Sequence, residues 1–331
     1  MTKHNLGFLA LCILLTMNYV NSQQVAKQLV IKTDYLIYTP PGYDEESEKK
    51  WPLMINLHGT DRNVTIETLP YAFLPHLISS GKDFPMLIVN PMCNKGRWNV
   101  EILNNLLDDI VKEYAVDEDR IYLTGYSMGG YGTWEWVFQN PEKFAAISPI
   151  AGCADQSDLK RIWRVRNIPT WIIHGEKDAV VDKACNYETM KQLKVYGSDA
   201  EFTIYPGIGH KLVDVWGKTL KNDAWYTWML DQSRDKNVPE PLRLKKETYE
   251  SYVGEYILQD RKEDTLRILY DRDQLYIKYE GEGPLPIHAE SKSLFYLEED
   301  PIIGVEFIIE DDEVLSFNVL EERAWPAKKI K

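Results

Sequence analysis

The period of the apolar positions changes along this chain, and the change outlines its architecture. From about residue 27 to residue 232, short apolar runs at 28–31, 35–38, 53–57, 86–89, 121–124, 146–150, 171–174 and 201–204 read as strands. Helical stretches lie between several of them, at 100–114, 130–140, 183–196 and 224–232. In the first of these, Leu103, Leu106, Leu107, Ile110 and Val111 recur at spacings of three and four, the signature of one buried helix face. Such alternation predicts an α/β unit, a mostly parallel sheet whose strands are joined by crossover helices. The runs 28–31 and 35–38, separated by three polar residues, read as an antiparallel hairpin at its edge.

Between residues 231 and 248 the pattern breaks. Arg234, Asp235, Lys236, Pro239, Glu240 and Pro241 predict a solvated connector, placed at 233–247. Beyond it the period falls to two. The segments 252–258, 265–270, 274–279, 293–297, 302–309 and 314–320 read as short strands of a small all-β domain, 248–331, following the α/β domain at 27–232.

Composition narrows the function classes. The 331 residues carry 38 Lys+Arg against 51 Asp+Glu, a net charge of −13, with 44% apolar residues. Such a chain holds enough apolar surface to fold, and its acidity argues against nucleic acid or an anionic membrane surface as partner. The acidity is local: residues 247–331 hold 21 acidic and 10 basic side chains. The α/β region is therefore close to neutral.

The first 22 residues predict a secretory signal. Lys3 gives a positive start, residues 6–15 are almost continuously apolar, and Val20 and Ser22 occupy the small-residue positions before Gln23. Thr16, Asn18 and Asn21 interrupt the run too early for a membrane span, so no stable membrane insertion is expected after cleavage, and the mature chain is expected to be secreted or periplasmic. Cys12 leaves with the signal. Cys93, Cys153 and Cys185 remain, which permits at most one disulfide and a spare thiol, with the pairing open.

The chemistry concentrates in Gly125-Tyr126-Ser127-Met128-Gly129-Gly130. An apolar strand precedes it and a helical stretch follows, the strand–turn–helix context in which G-x-S-x-G exposes a nucleophilic serine. Gly125 and Gly129 flank the turn because side chains there would collide. Ser127 then needs a base. Among six histidines, His4 leaves with the signal, while His58, His76, His174 and His288 fall at a strand end, in a helix, at a strand end before an acidic loop and in the all-β domain. His210, in the loop Tyr205-Pro206-Gly207-Ile208-Gly209-His210 after the last strand, is the candidate base. Asp178 is the candidate carboxylate behind it, with Glu176 and Asp182 as rivals. The developing oxyanion calls for backbone N–H donors, one from Met128 and one from the loop at Gly59 and Thr60, with Thr60 favoured and His58 bracing that loop. Trp98 and Tyr126 are candidates to line the pocket, with core packing as the equal rival reading. No histidine or cysteine spacing suggests a metal, and the glycine-rich run lacks the ending of a phosphate-binding loop, so no cofactor is expected.

These motifs carry a resemblance. G-Y-S-M-G-G-Y-G-T-W at 125–134, Pro91-Met92-Cys93 followed by Trp98, His174-Gly175-x-x-Asp178, and Tyr205-Pro206-x-x-Gly209-His210 with Trp225 and Trp228 after it resemble one group. It is the secreted phospholipase/carboxylesterase-like "predicted peptidases" of the α/β-hydrolase superfamily, related to feruloyl and acetyl-xylan esterases. The similarity spans roughly residues 35–232 and implies an α/β-hydrolase fold with Ser127, Asp178 and His210 as triad, in the chain order of that superfamily. The chain departs from the pattern at Gly59-Thr60-Asp61-Arg62, where relatives often carry a glycine-rich oxyanion loop. The opening Tyr252-Val253-Gly254-Glu255-Tyr256 is similar to a small β domain appended to some secreted serine hydrolases, for which an accessory packing role is expected.

The expected function is an exported serine esterase acting through an acyl-enzyme on esters that are small or polymer-attached. Only about 19 residues separate the strands at 146–150 and 171–174, too few for a large helical lid, so an open site is expected. The rivals are a serine peptidase of the same fold and a non-catalytic acyl-binding protein.

Overall fold

The computed structural model describes residues 33–330 except 61–64, 72, 94–95 and 261–263. The signal segment 1–22 and the strand expected at 28–31 lie outside the described residues.

The α/β region opens with β1 (Tyr35–Tyr38), β2 (Trp51–Leu57), α1 (Phe73–Ser79), β3 (Leu87–Pro91), α2 (Val100–Glu113), β4 (Val116–Tyr126) and α3 (Met128–Gln139). It continues through β5 (Ala146–Ile150), α4 (Gln156–Leu159), β6 (Trp171–Gly175), α5 (Ala184–Val195), β7 (Glu201–Tyr205), α6 (Val215–Thr219) and α7 (Asp223–Leu230). Seven strands form one sheet in the order β1-β3-β2-β4-β5-β6-β7. All pair in parallel except β1, which runs antiparallel to β3 at the edge, Tyr35 opposite Pro91. β2, β3 and β5 are buried at every position, as strands covered on both faces must be. One face is covered by α2 and α3 through Leu103, Leu107, Ile110, Trp134 and Phe138, the other through Leu74, Trp216, Trp225 and Met229.

The chain then passes through 231–245, which is held to both neighbours. Arg234 pairs with Asp119 at 3.0 Å, and the Leu242 N–H donates to Ala289 O at 2.7 Å. After α8 (Lys246–Tyr252) come eight strands: β8 (Gly254–Leu258), β9 (Thr265–Asp271), β10 (Gln274–Tyr279), β11 (Pro284–Ala289), β12 (Leu294–Leu297), β13 (Gly304–Glu310), β14 (Glu313–Leu320) and β15 (Ala324–Lys329). They close into an antiparallel barrel, sealed by β15 against β8 with Ala327 opposite Leu258. The reading of six strands is corrected to eight. β11 and β15 carry Pro284, Pro286 and Pro326, which break the sequence signal because proline donates nothing to a ladder. In the barrel two of these prolines serve as acceptors instead, Pro286 O from Glu298 N at 3.1 Å and Pro326 O from Gln259 N at 2.9 Å. The opening of the expected first strand, Tyr252, ends a helix.

The barrel is docked on the α/β region. Trp163 packs with Leu294 and Leu320 and donates from Nε1 to Glu321 O at 3.0 Å. Arg166, buried, donates to Glu290 through Nε at 3.2 and 3.1 Å and to the carbonyls of Trp163 and Ile302. Sheet and barrel share one compact body.

Candidate active site

The site is built at the carboxyl ends of β2, β4, β6 and β7, where open α/β sheets hold ligands. At the end of β4 the chain reverses into α3 through Ser127, whose φ of 54° and ψ of −115° are held although it is not glycine. The turn is anchored by Ser127 N–H donating to Ile150 O at 2.9 Å and Tyr131 N–H to Ser127 O at 3.0 Å. A Cβ on Gly125 would lie 2.3 Å from Gly129 O, and one on Gly129 would lie 1.9 Å from Leu57 O. Backbone against backbone, neither position has room for a methyl group.

The structure brings the three candidate residues into one chain of contacts. Ser127 Oγ lies 2.9 Å from His210 Nε2, and His210 Nδ1 lies 2.7 Å from Asp178 Oδ2. The Asp178 carboxylate is fully buried; its Oδ1 accepts the N–H groups of Val180 and Val181, each at 2.9 Å. Burial pushes its pKa up, but the Val181 N–H, His210 and the Val180 N–H outweigh it and hold the carboxyl below the usual carboxylate range. The rivals lie elsewhere: Glu176 accepts from Gly207 N at 2.7 Å, and Asp182 accepts from Ala184 N at 2.9 Å.

A second imidazole stands behind the first, and sequence reasoning missed its part. His174 is completely buried, with Nε2 3.0 Å from Val181 O and 3.2 Å from Asp178 Oδ2. An atom facing two acceptors must carry the proton, so Nδ1 is the acceptor, and Asn186 Nδ2 donates to it at 2.9 Å. Burial, ahead of the opposing pull of Val181 O and Asp178, holds the His174 pKa below 6.5 and the ring neutral. The signal was the i, i+4 spacing of His174 and Asp178 across a tight turn.

The loop after β2 is held similarly. His58 Nε2 accepts the Cys93 N–H at 3.0 Å, so Nδ1 carries the proton and donates to Gly59 O at 2.7 Å. Because a trans peptide sets C=O and N–H on opposite sides, tying Gly59 O to the ring turns the Thr60 N–H away from it. Met128 is the first residue of α3, whose first-turn N–H groups have no acceptor within the helix.

Two cavities meet at Thr60 and Ser127. One, about 190 Å³, is walled mainly by Leu69, Leu74, Pro75, Leu212, Trp216 and Tyr126. The other, about 800 Å³, is a groove with Arg97, Glu135, Asp155, Asp158 and Arg161 on its walls. Tyr126, a pocket candidate, lies on the smaller cavity and also donates its hydroxyl to His210 O. Trp98, the other, lies on the groove, buried, with Nε1 donating to His58 O at 3.3 Å and its ring against Gly132. A disulfide joins Cys153, on the groove, to Cys185 in α5, and among the described residues Cys93 is the free thiol. Among the described residues no group of three or more His, Cys, Asp or Glu side chains could hold a metal, and no helix is long and apolar enough to cross a membrane.

Comparison with known proteins places the chain among esterases and their relatives. A bifunctional acetylxylan esterase/xylanase of Neocallimastix patriciarum is 27% identical over 157 residues, 45% of this chain and 22% of the relative. A cutinase of Thermobifida alba is 27% identical over 119 residues, covering 35% of this chain and 38% of the relative. The chain thus spans well under half the length of either. The crystal structure of a thermostable esterase superposes with a TM-score of 0.50 at 27% identity, over 60% of this chain and 59% of that one. Residues 97–222, from Arg97 on the groove through the elbow and His210 to the start of α7, match the phospholipase/carboxylesterase family, and the sheet that carries them is an α/β-hydrolase fold.

Proposed function

We propose that the protein is an exported serine esterase in which Ser127 attacks an ester carbonyl. His210 Nε2 takes the hydroxyl proton as the Ser127 Oγ–acyl bond forms, and returns it to the alkoxide as that group leaves. Water then repeats the sequence and releases the acid, restoring Ser127. Asp178 fixes the His210 tautomer and stabilises its cationic form, and the neutral His174 supports Asp178 from behind as a positioning residue. The N–H groups of Met128 and Thr60 receive the oxyanion.

The observation that carries this reading is the unbroken relay of 2.9 and 2.7 Å from a serine held at positive φ to a buried carboxylate. The two unequal cavities support a division of the substrate: a compact acyl group in the small apolar cavity and a bulkier polar alcohol in the charged groove. A carbohydrate-borne alcohol suits the groove, in keeping with the acetylxylan esterase activity of the bifunctional relative. Export is supported by the signal pattern in residues 1–22 and by a disulfide, which persists in oxidising compartments.

The test is turnover of matched ester and amide substrates, here 4-nitrophenyl acetate and 4-nitroacetanilide, by the parent and Ser127→Ala. Ester hydrolysis that falls about 10⁴-fold or more in the variant, with the amide hardly cleaved by either, is the expected outcome. Amide cleavage matching ester cleavage selects the peptidase reading, and an unchanged Ser127→Ala ends both.

A further inference from the structure

The barrel is an eight-stranded closed sheet, a size that side chains can either fill or leave open for one small ligand. This one does both. Toward α8 the inward positions are aromatic: Tyr256, Phe295, Phe307 and Phe317 pack on one another and on Tyr252, with ring centroids 4.4–5.6 Å apart. Two residues toward the other end of the same four strands, the inward positions are aliphatic, Leu258, Leu297, Val305 and Val319. The step from aromatic to aliphatic on every one of these strands plugs one end and empties the other. A cavity of about 400 Å³ remains there, walled by those residues with Ile277 and Leu285. That volume falls in the range of roughly 300–1,000 Å³ typical of small-molecule pockets.

The mouth has a different character. Tyr279, Glu282, Glu321 and Trp325 line it. Burial first, then Glu321 and Glu282, pushes the Tyr279 phenol up to about 12, so it stays a neutral donor with both carboxylates near it. The triad lies elsewhere, and none of its residues lines this cavity.

We infer that the barrel is a second binding site, for an amphipathic small molecule whose apolar body enters the aliphatic end and whose head bears hydroxyl or ammonium donors toward Glu282 and Glu321. Arg323, stacked 3.7 Å from the Trp325 ring, is paired with Asp260 at 3.4 Å, so Glu282 and Glu321 set the charge of the mouth and repel an anionic head, which sets the site apart from one for free fatty acids.

The experiment uses the full chain and the neutral fluorophore N-phenyl-1-naphthylamine. Binding of one probe per chain is expected, equal in Ser127→Ala. Dodecylammonium should displace the probe about tenfold more effectively than laurate of the same chain length, both below their micelle concentrations. Val319→Trp, which fills the cavity, should abolish binding. The rim variant Glu282→Gln/Glu321→Gln, which leaves the packed wall intact, should bind the probe as the parent does and lose the preference against laurate. Absent probe binding, undiminished binding in a folded Val319→Trp, or equal displacement by the two amphiphiles in the parent would each overturn the inference.

Discussion

At the scale of single residues, the site is held by side chains whose alternatives are sterically or electrostatically closed. His174 is an example. Its neutral ring is buried against Asp178, and Gln in its place keeps one donor but loses the fixed ring plane. His174→Gln should lower kcat by roughly tenfold or more while leaving KM nearly unchanged, since orientation of the relay and not the substrate is disturbed. The same residue gives a pH signature. A histidine held below its ordinary value of 6.5 takes its proton in the unfolded state first, so stability falls as pH drops below about 6.5. Asp178, held below the carboxylate range, adds a stabilising contribution that is present above about pH 4 and lost as pH falls through its folded value. Thermal melting followed from pH 7.5 to 2.5 should therefore decline in two stages, and His174→Gln should remove the upper one. A parent melting temperature flat from 7 to 5 contradicts this. Ser127, Asp178 and His210 were legible in sequence because each stands in a short motif at a strand end. His174 showed only as a spacing of four from Asp178, and whether such a pair meets across a turn is decided by ring direction and burial, which letters do not carry.

At the scale of elements, the elbow and the disulfide make the sharpest demands. Gly129→Ala places a methyl group 1.9 Å from the Leu57 carbonyl, between two backbone segments that are both buried. It should cost more than the about 1–3 kcal/mol of ordinary overpacking, so expression as soluble protein should collapse, whereas Gly207→Ala, where a Cβ meets nothing within 4 Å but φ is 71°, should lose only about 1 kcal/mol by chemical denaturation. The Cys153–Cys185 link closes 32 residues of chain; Cys153→Ser/Cys185→Ser should lose about 2–4 kcal/mol by the same assay. The strands and helices of the α/β region were largely legible, since buried parallel strands read as continuous apolar runs. The barrel was less so. Its closure depends on β15 meeting β8, residues some 70 apart, and β15 was itself hidden by Pro326.

Across the whole molecule, the barrel is a fixed part of the body. Arg166 reads in sequence as one more charge in a polar stretch, yet it is buried against Glu290, 124 residues away. Removing Glu290 leaves a buried guanidinium charge without its counter-ion, held by the carbonyls of Trp163, Ile302 and Pro301 alone. Glu290→Ala should therefore cost about 3–5 kcal/mol, and calorimetry should show the parent's single transition split or broadened as the barrel releases first. An unchanged single transition counts against the docked arrangement. Next to this pair, Glu322 reaches Arg161 at 3.1 Å, and Arg161 lines the groove, so the barrel braces one wall of the groove beside Ser127.

If Ser127 is a nucleophile activated by its neighbours, it can be captured covalently. The protein is incubated with a fluorophosphonate, digested, and the modified peptide sequenced by mass spectrometry. A single stoichiometric adduct on Ser127 is expected, absent in Ser127→Ala and slowed by a large factor in His210→Ala. A folded protein that takes up no label, or takes it at another residue, contradicts it.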